Sequence, residues 1–198
     1  VDGDVKVWDS LAIIEYAAET WPRANIWPKT AAARAMARSV SAEMHSGFRA
    51  IRNDCPVNLR RPKVPLKAGF SEGVMNDVKR LESLWAQCRK AHGKGGPFLF
   101  GEFGLVDAYF APVVSRTRTY GLPLPPAAAA WAERLWATPG VQAWVADALA
   151  EHELTHRQAV VALLGCAIAG EPRRPLEQPA ARQRAEQVDA ETLVVAAR

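Results

Sequence analysis

Apolar residues recur along most of this chain at the spacing of a buried helix face. Leu11, Ile13, Ile14, Ala17 and Ala18 form one such stripe. Asp9 or Ser10 supplies an N-cap oxygen ahead of it. Trp21-Pro22 ends it, because the residue before a proline avoids the helical region. An alanine-rich helix is predicted over 31–54, with Met36, Val40, Met44, Phe48 and Ile51 on its apolar side. A second stripe on that helix is polar and contains Ser41, His45, Arg49 and Arg52. Cys55-Pro56 ends this helix, and 60–68, with two prolines, is predicted as a loop. A further long helix is predicted over 69–92, with Phe70, Val74, Val78, Leu81, Trp85 and Cys88 along one side. The glycine-rich run 93–97 breaks it.

Beyond that break, Gly104 fits an N-cap, and Asp107 stands where a carboxylate bonds back to the cap amide. The helix that follows carries Tyr109, Phe110, Val113 and Val114, and Pro112 should kink it. Helices are predicted over 127–137 and from Thr138-Pro139-Gly140 onward, the latter with a cap followed by proline in its first turn. Residues 155–169 read as one more helix and 170–198 as a poorly packed tail. The opposite end is different. Asp2-Gly3-Asp4 is a hairpin turn signal, and Val5 and Val7 alternate with Lys6, which predicts strand, turn, strand.

Composition narrows the class. The chain has 198 residues, 49% of them hydrophobic and 23% charged, enough for a packed core. Three cysteines without a CxxC pair and four scattered histidines give neither a disulfide scaffold nor a zinc spacing, so no metal and a reducing, cytoplasmic setting are expected. The longest late apolar run, 159–169, is shorter than the about 20 residues a membrane span needs. The net charge of +4 is spread out. Arg49, Arg52, Arg60, Arg61 and Lys63 form a local basic cluster, read as a solvated face or a small-anion site; no nucleic-acid or membrane partner is expected.

Four blocks, in this order and spacing, resemble the soluble glutathione S-transferases. Residues 1–16 look like that family's last hairpin and following helix. Residues 39–48, Ser-Val-Ser-Ala-Glu-Met-His-Ser-Gly-Phe, resemble a bacterial branch. Residues 103–112 look like the capped helix of its helical domain, and 138–151 are similar to a later helix. The resemblance implies a mainly α chain. Residues 1–23 would be the end of a thioredoxin-like glutathione-binding domain, 24–154 an all-α domain and 155–198 an atypical extension. It also implies a homodimer and a reaction in which glutathione, as co-substrate, attacks a small electrophile as its thiolate. The first residue is Val1 rather than Met. The family's thiol-activating residue and its cis proline would fall before it, so this chain alone is expected to be inactive. A non-catalytic helical binding or dimerisation module derived from such a transferase is the rival reading.

Each candidate site residue has a plainer alternative. Asp9 and Ser10 stand at a helix N-terminus, where a hydroxyl and free N–H groups receive a carboxylate and the adjacent acid takes an ammonium. A γ-glutamyl group carries both charges on one carbon. The plainer reading is an ordinary cap, and one geometry serves both. Met44, His45 and Phe48 are candidates for an electrophile pocket; the alternative makes Met44 and Phe48 core and His45 surface. Tyr109 and Arg116 are further pocket candidates. Gly104 and Asp107 are read as a structural helix cap rather than catalytic groups.

Overall fold

The structure, a computed structural model, describes residues 2–61, 63 and 69–150. The expectations for 155–169 and 170–198 lie outside the described residues. The described chain is mainly α. Its helices are α1 (Ser10–Thr20), α2 (Ala31–Ser46), α3 (Arg49–Asp54), α4 (Glu72–His92), α5 (Leu105–Tyr109), α6 (Ala111–Tyr120), α7 (Pro126–Trp136) and α8 (Pro139–Ala150).

The core is built on α4. Ser71 caps it by accepting from the Val74 amide at 3.3 Å, and Val74, Val78, Leu81, Leu84, Trp85 and Cys88 are buried along one side. Trp85 meets Phe110 edge-on at 5.7 Å and Trp131 at 4.6 Å, so one aromatic knot joins α4, the α5–α6 junction and α7. The Cys88 thiol lies beside this knot; burial pushes it up to about 12, which makes it an inert packing group. Outside the core, Arg38 forks onto Glu15 and Arg80 onto Glu43, tying α1 to α2 and α2 to α4. Being exposed, such pairs fix orientation more than they add stability, about 0–1 kcal/mol each.

Three expectations change. The predicted hairpin shrinks to one turn: Asp2 and Val5 exchange hydrogen bonds of 3.0 and 2.9 Å around Gly3, and no ladder continues to Val7. The helix over 31–54 divides. The Gly47 N–H closes α2 on the Glu43 carbonyl, and Phe48 then takes a left-handed conformation (φ 58°) before α3 begins. A Cβ at Gly47 would stand 2.7 Å from that same carbonyl, so glycine permits the break. The helix holding Pro112 also divides, at Phe110, which leaves the proline in the first turn of α6, where a missing N–H costs nothing.

Asp107 holds the start of α5. Its carboxylate accepts from the Gly104 amide (3.2 Å), the Leu99 amide (3.0 Å) and the Trp131 indole N–H (2.8 Å). Gly104 has no side chain to reciprocate, so this is half a capping box, reinforced by the indole. The cap expectation for Gly104 and Asp107 matches this geometry. Burial lifts the Asp107 carboxyl to about 6, against three donors that pull it down.

Two outcomes follow for Asp107. Asp107→Ala leaves the Leu99 amide and the Trp131 indole N–H buried without a partner, uncaps the Gly104 amide, and should lower unfolding free energy by about 3 kcal/mol in a urea titration. The folded state also holds this proton more tightly than the unfolded chain does. The stability it contributes is therefore fully present below about pH 4 and lost as pH rises through about 6. Asp107→Asn should flatten that stretch of the stability–pH profile.

Candidate functional site

The N-terminus of α1 meets the end of α2 and the end of α5, and four polar side chains converge there. Asp9 is the N-cap: its Oδ1 accepts from the Leu11 amide at 2.9 Å and the Ala12 amide at 3.4 Å. Its backbone lies at φ 75° and ψ 131°, a region costly for a side-chain-bearing residue by about 1–3 kcal/mol. The cap bonds help to hold it there. Asp9 Oδ2 turns outward and lies 3.0 Å from His45 Nε2.

Ser10, the first helical residue, places its Oγ 2.7 Å from the Tyr109 hydroxyl and 3.3 Å from His45 Nδ1. The Tyr109 hydroxyl is itself 3.2 Å from that nitrogen. A carboxylate, an imidazole and two hydroxyls thus form one continuous polar chain. The Asp9 end is open to water, with the His45 and Asp9 side chains 37% and 43% exposed. Tyr109 is deeper: burial raises its hydroxyl above the usual phenol range, while the bond to Ser10 opposes this.

Arg52 positions His45. From α3 its guanidinium reaches back across the break and donates to the carbonyls of Met44, His45 and Gly47, the last at 2.9 Å. It satisfies the open end of α2 and fixes the turn that carries the imidazole. Sequence reasoning placed Arg52 only in a polar stripe and a basic cluster. Two members of that cluster are engaged within the fold. Arg52 is turned onto these carbonyls, and Arg61 stacks over the Tyr120 ring at 5.0 Å.

Of the five pocket candidates, His45 and Tyr109 join Asp9 and Ser10. Met44 (4% exposed) and Phe48 (6% exposed) lie in the hydrophobic core. Arg116 is buried in α6 and donates to the Cys55 carbonyl (2.9 Å) and the Pro112 carbonyl (3.1 Å). Burial, and secondly the charge of Arg52, lower its guanidinium to about 10. Among the described residues, no group of three or more His, Cys, Asp or Glu is placed to hold a metal ion.

Comparison with known proteins finds similarity in the helical part. Residues 65–147 match the family described as the glutathione S-transferase C-terminal domain. A probable maleylacetoacetate isomerase of Caenorhabditis elegans is 31% identical over 132 residues, which are 64% of this chain and 57% of that protein. Glutathione S-transferase Z1 of Arabidopsis thaliana is 27% identical over 117 residues, covering 58% of this chain and 51% of that one. The chain therefore spans little more than half the length of these curated relatives. A glutathione transferase homologue from Burkholderia, solved with bound glutathione, superposes with a TM-score of 0.54 at 25% identity, covering 73% of this chain and 68% of that one.

Arg52→Ala should uncap α2 and free the turn bearing His45. The expected result is a loss of about 1–2 kcal/mol in denaturant unfolding, with faster amide exchange at the α2 end than in the wild type.

Proposed function

We propose that this chain is the helical part, together with the end of the glutathione-binding domain, of a glutathione S-transferase-type protein, and that Asp9 and Ser10 receive the γ-glutamyl end of glutathione. The observation that carries this reading is the pairing of Asp9 Oδ2 and Ser10 Oγ at the head of α1, next to side chains from the helical part. A γ-glutamyl group presents an ammonium and a carboxylate on one carbon. Asp9 Oδ2 suits the first. The Ser10 hydroxyl, at the positive end of the helix, suits the second. The solved relative with bound glutathione supports the choice of ligand.

The proposed domain division is 1–23 for the end of a thioredoxin-like domain, 24–154 for the all-α domain and 155–198 for an extension. The proposed chemistry is attack by the glutathione sulfur, as thiolate, on an electrophilic carbon. A sulfur–carbon bond forms, and the leaving group departs with its bonding electrons. A related glutathione-dependent isomerisation fits the same site, and the isomerase among the relatives supports it. A homodimer in the cytoplasm is the proposed setting. Asp9 and Ser10 are assigned to ligand binding, so binding is the test for this chain. The second reading, a helical binding or dimerisation module without catalysis, rests on the match of 65–147 to the helical domain alone.

Calorimetric titration of glutathione into Val1–Arg198 decides the matter. Binding should weaken about tenfold or more in Asp9→Ala and in Ser10→Ala, since each removes a charge-assisted contact. Binding that both changes leave intact would place the ligand elsewhere.

A further inference from the structure

We infer that His45 is a built-in stand-in for the ligand's ammonium group: its imidazole holds Asp9 and Ser10 in their binding arrangement and is displaced when a γ-glutamyl ligand enters. The inference rests on the reading of Asp9 and Ser10 given above. It concerns what occupies their binding atoms in this structure.

The geometry supplies the argument. Asp9 Oδ1 is committed to the amides of Leu11 and Ala12, so Oδ2 is the oxygen left for a cation, and His45 Nε2 stands 3.0 Å from it. The other ring nitrogen, Nδ1, lies 3.3 Å from Ser10 Oγ and 3.2 Å from the Tyr109 hydroxyl. One imidazole therefore spans both halves of the receptor. A γ-glutamyl ammonium reaching Oδ2 competes with the ring for that oxygen.

The ring has a way out. It is held by polar contacts on a partly exposed side chain, whereas its neighbour Met44 is locked in the core. Three groups lie around it: Asp9 from the α1 cap, Tyr109 from α5 and Arg52 from α3, the last bonded to the backbone carbonyl of His45. Asp9 is the one anion among them, and it is the group the ligand competes for.

The experiment is glutathione titration by calorimetry on the full chain, comparing wild type, His45→Ala and His45→Gln. Loss of an exposed pair of this kind should tighten binding about three- to tenfold in both variants. A glutathione analogue lacking the α-amino group does not compete for Asp9 Oδ2. Its affinity should not gain from either substitution. An independent readout is the His45 ring signal in NMR: saturation with glutathione should move it toward its position in Asp9→Ala. Equal or weaker glutathione binding in the His45 variants, with wild-type binding present, overturns the stand-in and leaves the binding site standing. No binding by any of the proteins overturns both. Because His45 lies at the surface, both variants should fold, which circular dichroism checks.

Discussion

The Asp107 carboxylate accepts from the Leu99 amide, the Gly104 amide and the Trp131 indole, and much of the fold is arranged around those three bonds. They join the turn after α4, the start of α5 and the middle of α7, the last of these 24 residues beyond Asp107. A charge in such a buried place is costly unless its lone pairs are filled. Three donors fill most of them, and the Trp85–Phe110–Trp131 knot keeps water away. The direction of α5 is set here, and so is the place of Tyr109 at its end.

The candidate site depends on this arrangement in a specific way. Tyr109 lies two residues beyond Asp107, so the buried cap also aims the phenol that touches Ser10. His45 reaches the same point from the other side because α2 stops at Ser46. Had the helix run on to Asp54 as the apolar spacing predicts, its own amides would have taken the carbonyls that Arg52 now holds. The break and the site are thus linked. Gly47 ends the helix, Phe48 is buried in a left-handed turn, and Arg52 ties the loose end.

Much of this was legible in the sequence, and what was not has physical causes. The α4 stripe was readable because a long amphipathic helix declares its period over six turns. The Asp9 and Gly104–Asp107 caps were readable because capping is local. The break at Gly47 was not, since Phe48 and Ile51 are buried on either reading and the apolar period runs straight through it. Local pattern also could not bring Ser10 to Tyr109, 99 residues away, or Asp107 to Trp131, 24 away. Those contacts are set by how the helices pack, and no spacing rule encodes them.

Arg116, a pocket candidate in the sequence, and Arg52, a member of its basic cluster, show how burial assigns roles. Arg116 lies inside α6 and gives its donors to the carbonyls of Cys55 and Pro112. A ligand would gain little there that the backbone does not already hold. Arg52 is also bound to carbonyls, but those carbonyls belong to the turn that presents His45. Its effect on the site is therefore exerted through another residue. What faces solvent is the Asp9 carboxylate, the imidazole that covers it and the hydroxyl beside them. On the reading proposed above, that arrangement suits a group with separate positive and negative ends better than a simple anion, and it lies where the first helix leans against the helical core.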